Sequence, residues 1–148
     1  MAILIDNQQK RLPINRKAIA NRAKVILNDL GSADRELSIL IVDDEAIAEM
    51  NVAYLGHEGP TNVISFPMQE GDCSGVNPQL LGDVVISIDT AEREGVEGGM
   101  TVEERVDELL IHGILHLHGY DHIHDEEEAA AMEARSRELM ELIQRDGQ

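Results

Sequence analysis

Residues 101–119 read Thr-Val-Glu-Glu-Arg-Val-Asp-Glu-Leu-Leu-Ile-His-Gly-Ile-Leu-His-Leu-His-Gly. Thr101 and Glu104 have the spacing of a capping box, in which hydroxyl and carboxylate satisfy free amide donors at a helix start. Val106, Leu109, Leu110, Ile111, Ile114, Leu115 and Leu117 then surround the helix instead of forming one stripe. A helix that is apolar all round is buried, so this one belongs at the centre of the fold. Gly119 ends it.

Outward from that helix, residues 15–30 place Ile19, Ala23, Ile26, Leu27 and Leu30 at helical spacing between Pro13 and Gly31, which predicts one amphipathic helix. Residues 36–42 are compact and rich in β-branched side chains, a buried strand. Residues 2–5 suit an edge strand, and 62–66 and 82–87 two more. Asp43 and Asp44 cap a short helix with Ile47, Met50 and Tyr54 on one face. Residues 67–80 have loop composition. A last helix over 125–144 turns Met132, Leu139 and Ile143 inward, with Glu133–Arg137 and Glu141–Arg145 as outer i,i+4 pairs. Four strands and about four helices within residues 1–148 predict a single α/β (α+β) domain, a sheet packed against helices with the buried helix on it.

Composition narrows the function classes. The chain is 43% hydrophobic but has no Trp and only Phe66, Tyr54 and Tyr120 as aromatics, so its core is aliphatic. The single cysteine, Cys73, excludes an intrachain disulfide and a cysteine-based zinc knuckle; within Gly-Asp-Cys-Ser-Gly it reads as a free loop thiol without a role. Residues 1–6 become charged too early for a signal sequence, and no apolar run approaches membrane-spanning length. The expected location is the cytoplasm, with no membrane partner. A net charge of −17 argues against holding nucleic acid by bulk electrostatics. Residues 1–35, however, carry seven basic groups against three acids, leaving −21 on the other 113 residues. The first helix is therefore where an anionic polymer would touch, although charge alone equally describes a solvated helix face.

The chemistry lies in His112-Gly-Ile-Leu-His116-Leu-His-Gly119-Tyr-Asp-His122. Residues i and i+4 share a helix face about 5–6 Å apart, so His112 and His116 can reach one ion. Gly119 lets the chain turn sharply, and His122 can return as third ligand. Three imidazoles leave one tetrahedral position for water, the build of a catalytic zinc site. Unpaired polar rings would be costly in so apolar a helix, which favours one bound Zn²⁺ over chance core histidines. His118 and His124 fit that geometry poorly and suit a solvated or supporting role; His57 stands alone in a loop. Glu108, one turn before His112, either orients that imidazole or is an ordinary helix carboxylate.

The histidine spacing is also that of the metzincin peptidases, which need a glutamate directly after the first histidine as general base. Here that position is Gly113. Asp121 is the nearest acid that could handle a proton, or else it shapes the turn; no residue is otherwise marked as catalytic.

The histidine block resembles the signature of the bacterial YbeY family of endoribonucleases and rRNA maturation factors. Pro60-Thr-Asn-Val-Ile-Ser-Phe-Pro67 and Leu81-Gly-Asp-Val-Val-Ile-Ser87 resemble two further family segments, in the same order. The resemblance covers about residues 37–138. It implies a four-stranded mixed sheet, zinc on His112, His116 and His122, and a single-strand-specific endoribonuclease acting in 16S rRNA 3′-end maturation and ribosome quality control. It also implies partners on the small ribosomal subunit. Asn62, Ser65 and Asp83 match family positions. One departure is Leu55, where many members carry an arginine taken to meet RNA phosphate; leucine cannot make that forked hydrogen bond. The competing readings are a metallopeptidase-like hydrolase and a non-catalytic, zinc-stabilised ribosome assembly factor.

Overall fold

A computed structural model describes residues 3–67, 80–120 and 126–146. The strands are β1 (Ile3–Asn7), β2 (Glu36–Val42), β3 (Val63–Pro67) and β4 (Leu80–Ser87). They form the mixed sheet that the resemblance implied, in the order β1-β2-β4-β3. β1 and β4 both run parallel to β2, and β3 closes the far edge antiparallel to β4. The helices are α1 (Arg16–Asp29), α2 (Asp44–Met50), α3 (Ile88–Gly98), α4 (Val102–Leu117) and α5 (Glu126–Asp146).

Strand alternation sorts the core. Leu37, Ile39 and Ile41 of β2, with Val84 and Ile86 of β4, face a large cluster built with α1, α4 and α5. The intervening Val42 and Val85 face a smaller cluster with Ile47 of α2 and Ile64 of β3. Helix α4 packs against β3, β4, α1, α3 and α5, so the all-round apolar reading is realised. Met132, Leu139 and Ile143 of α5 are buried as expected. β1 is the expected edge strand, with Leu4 exposed and Ile3 and Ile5 against the core.

Two elements differ from the sequence reading. The short helix after Asp43 does not carry Tyr54 inward: it gives way to a π-helical turn (Asn51–Leu55) that ends at Gly56, φ +70°. Tyr54 is 70% exposed and meets Phe66 edge to face at 5.4 Å. Helix α3 is a fifth helix where about four were expected. Ser87 is at once the last residue of β4 and the cap of α3, accepting from the Thr90 N–H, so no turn separates the two elements.

Candidate metal centre and active-site cleft

The capping box forms as read: the Glu104 N–H donates to Thr101 Oγ1 at 3.0 Å and the Thr101 N–H to Glu104 Oε1 at 2.9 Å. From that start, α4 carries His112 and His116 on one face. Their Nε2 atoms stand 3.0 Å apart, with ring centroids 4.5 Å apart and planes at 73°. Two ligands of a tetrahedral zinc ion, each about 2.0–2.1 Å from it, are roughly 3.3 Å apart. The donor pair therefore converges as ligands of one ion do. Among the described residues no third His, Cys, Asp or Glu completes the group. His122, His124, Asp121 and Cys73 lie outside the described residues.

The end of α4 is built to turn. The Gly119 N–H donates to His116 O at 3.0 Å and the Tyr120 N–H to Leu115 O at 3.1 Å, the paired bonds of a Schellman motif. Gly119 has φ +92°, a region that side chains other than glycine rarely enter. His118 is the cap residue. Its Nδ1 lies 2.9 Å from Ile114 O and its Nε2 2.7 Å from Ser32 Oγ. A carbonyl only accepts, so Nδ1 carries the proton and Nε2 accepts from the serine hydroxyl. Both ring nitrogens are thus engaged, and His118 ties α4 to the turn after α1.

Gly113 explains the missing glutamate. A Cβ there would stand 2.7 Å from Val84 Cγ1, because α4 lies directly on β4 at this point. A larger residue there must push Val84 aside. Ser65, a family-matched position, donates to Gly113 O at 2.9 Å and clamps β3 to the same turn of helix.

His112 also lines a cleft of about 390 Å³ between α4 and α5, with Asn62, Arg105, Glu108, Ser136 and Arg137 on its walls. Arg105 is held by Glu94 (2.8 Å) and Glu108 (2.7 Å). Burial works against its charged form, but these two carboxylates leave the guanidinium raised above its ordinary value. Glu108 thus pairs with a cation one turn back, and Asn62 Nδ2 donates to Glu94 Oε1 at 3.2 Å. Arg137 is looser, 3.3 Å from Glu133 with both side chains exposed. Asp83 lines a separate hollow with Tyr54 and Phe66; burial raises its carboxyl, partly offset by a hydrogen bond with Ser38. His57 lies exposed in its loop. Sequence reading missed Arg105 and Arg137 as cleft residues. Arg105 could have been found, since it lies two helical turns before His112 on the same face; Arg137 joins only through the packing of α5.

The family model described as endoribonuclease YbeY matches residues 4–144. Proteins named endoribonuclease YbeY are 48% identical over 148 residues in Geobacter sulfurreducens (99% of both chains). In Syntrophotalea carbinolica the value is 49% over 145 residues (97% of both), and in Syntrophus aciditrophicus 46% over 144 residues (97% of this chain, 90% of that one). The solution structure of TM1509 from Thermotoga maritima matches with a TM-score of 0.66 at 26% identity, covering 96% of this chain and 89% of that one. With the family's model matched over nearly its whole length, the chain belongs to the endoribonuclease YbeY family.

Proposed function

We propose that this protein is a zinc-dependent endoribonuclease that cuts single-stranded RNA in 16S rRNA 3′-end maturation and ribosome quality control, working in the cytoplasm at the small ribosomal subunit. The observation that carries the reading is the convergence of the His112 and His116 Nε2 atoms beside the cleft that His112 lines. On this reading His112, His116 and His122 would hold the ion, His122 lying outside the described residues. A zinc ion bound there would supply Lewis acidity for hydrolysis. The chain's own residues hold and orient the strand. Asn62 and Ser136 offer hydrogen-bonding groups on the cleft wall.

The phosphate grip that Leu55 cannot give falls to Arg137. Arg105 is already balanced by two carboxylates. Among the described residues Arg137 pairs only with the exposed Glu133, and exposed pairs contribute about 0–1 kcal/mol, so phosphate displaces Glu133 at little cost. The peptidase alternative loses its general base to the packing at Gly113. The test is cleavage of a single-stranded RNA by the zinc-loaded protein. His116→Ala and zinc removal by a chelator are both expected to abolish cutting, and Arg137→Ala to lower kcat/KM about tenfold. Full activity in the metal-free protein or in His116→Ala overturns the reading.

A further inference from the structure

A second and larger cleft, about 510 Å³, lies on another face of α4, between it and α1. That volume is within the range of about 300–1,000 Å³ typical of small-molecule sites. Ile14, Ile19, Ile88, Val102 and Val106 form apolar walls, and Asp107 is set into them. Its side chain is 9% exposed, and it is among the residues that line the cleft. Among the described residues no hydrogen bond reaches its oxygens; the nearest cation is Arg22, with Nε 3.3 Å from Oδ2. A carboxylate has about four acceptor positions, so beyond the Arg22 ion pair this one has acceptor capacity left for a ligand in the cleft. Burial shows in its chemistry too, pushing the carboxyl up to about 6.

The surroundings select the ligand. The cleft carries two carboxylates, the buried Asp107 and the exposed Glu103, and two guanidinia: Arg22 already counters Asp107, which leaves Arg16, exposed on the rim and in no ion pair among the described residues, to meet an anion. What fits is a neutral, flat group that donates two parallel N–H bonds to one carboxylate and carries an anion for Arg16. Guanine alone among the RNA bases has two adjacent donors, N1–H and N2–H, on its Watson–Crick edge. Adenine, cytosine and uracil each set an acceptor beside a donor and would face one carboxylate oxygen with a lone pair.

We propose that the α1–α4 cleft binds a guanine nucleotide, with the base edge on Asp107 and the phosphate on Arg16. The nucleotide is either free or part of an RNA strand. The site stands apart from the histidine face and does not depend on the metal reading. It also gives the locally basic first helix a use.

The experiment is calorimetric titration of the full chain with 5′-GMP, 5′-IMP (which lacks the N2 amine) and 5′-AMP. GMP is expected to bind at least tenfold more tightly than AMP and several-fold more tightly than IMP. Asp107→Asn should weaken GMP at least tenfold, and Arg16→Ala several-fold while leaving guanosine unchanged; His116→Ala should leave GMP binding intact. The proposal is overturned by equal affinity for GMP and AMP, by no GMP binding at millimolar concentration, or by unchanged affinity in a folded Asp107→Asn. If that variant does not fold, the wild-type comparison with IMP and the exposed Arg16→Ala still decide. An oligoadenylate with one internal guanosine separates the sources. Binding tighter than GMP, lost in Asp107→Asn, assigns an RNA strand; binding no tighter than GMP assigns a free nucleotide.

Discussion

At the residue scale, two side chains on α4 report opposite constraints. Gly113 is a matter of space. Its missing Cβ would press on Val84, a β-branched residue with little rotamer freedom, and on Ser65 Oγ at 3.3 Å. Overpacking of this kind costs about 1–3 kcal/mol, against about 1 kcal/mol gained from replacing glycine by alanine in a helix. Gly113→Ala is therefore expected to lower stability by about 1 kcal/mol net, read as a lower urea midpoint at unchanged slope. Asp107 is a matter of charge. Burial raises its carboxyl; Glu104 and Glu103 on α4 add to the rise, and Arg22 on α1 opposes it. With the folded value at about 6 and an unfolded value near 3.9, the native state binds more protons between those limits. The contribution of Asp107 is thus most favourable below about pH 4 and is lost as pH rises through about 6. Asp107→Asn should be more stable than the native protein at pH 8, by about 1–2 kcal/mol, with the gap closing toward pH 4. Parallel urea melts at the two pH values check this. A gap of the same size at both would mean that the carboxylate is not desolvated.

At the scale of elements, legibility followed the local signal. Helix α4 could be read because its capping box and apolar surround are both local patterns. Helix α1 could be read from its periodicity; its cap, Asn15, accepts from the Ala18 N–H at 3.0 Å. Helix α3 could not, because nothing punctuates the step from Ser87 to Ile88 and the helix contains Gly95. That glycine lies where a Cβ would stand 3.2 Å from the carbonyl oxygens of both Met100 and Thr101, a tertiary demand that no local rule displays. The π turn escaped for a similar reason: its side chains suit an α-helix, and only the bonds around it reveal the wider winding. The candidate site divides the same way. The His112–His116 pair is a helix repeat; the cleft beside it depends on where α5 lands. Helices α2 and α3 are stapled by Asp44, read from the sequence as a cap of the short helix together with Asp43; Asp43 alone caps it, accepting from the Ala46 N–H, and Asp44 reaches across to α3. Asp44 accepts from Ser87 Oγ at 2.7 Å, Thr90 Oγ1 at 2.6 Å and Arg93 Nη1 at 2.7 Å. Burial works to raise this carboxyl, but the three donors together hold it below its ordinary value. Its stabilising contribution is present above the unfolded pKa and is lost as pH falls through the lowered one. Asp44→Ala should cost about 2 kcal/mol at pH 7, and less than that below pH 4, as measured by thermal or urea unfolding.

At the scale of the whole molecule, the charge of −17 sets how RNA can approach. A uniformly basic surface gains affinity from every released counterion, and its binding falls steeply with salt. Here long-range repulsion and short-range attraction oppose each other. Added salt screens the acidic bulk over a Debye length of about 10 Å at 0.1 M and so favours approach. The same salt weakens the few contacts made by cations such as Arg16, Lys17 and Arg137. Arg11, by contrast, is committed to Asp89 and Glu92, which raise its guanidinium above the ordinary value, and Arg93 is tied to Asp44. With about three phosphates contacted and about 0.7 counterions released per contact on a single strand, the slope of log Kd against log salt should be no steeper than about 2. Anisotropy titrations of a labelled single-stranded RNA between 50 and 300 mM KCl measure this slope, and removing one contact by Arg137→Ala should lower it by roughly 0.7. A slope near 5 would require a broad basic footprint, which a chain with −21 outside its first 35 residues does not possess. A shallow slope also means that the strand is held by a few specific groups, the cleft beside His112 and the base edge at Asp107, so that selectivity for sequence and for single strands comes from shape and hydrogen bonding, with charge setting only the approach.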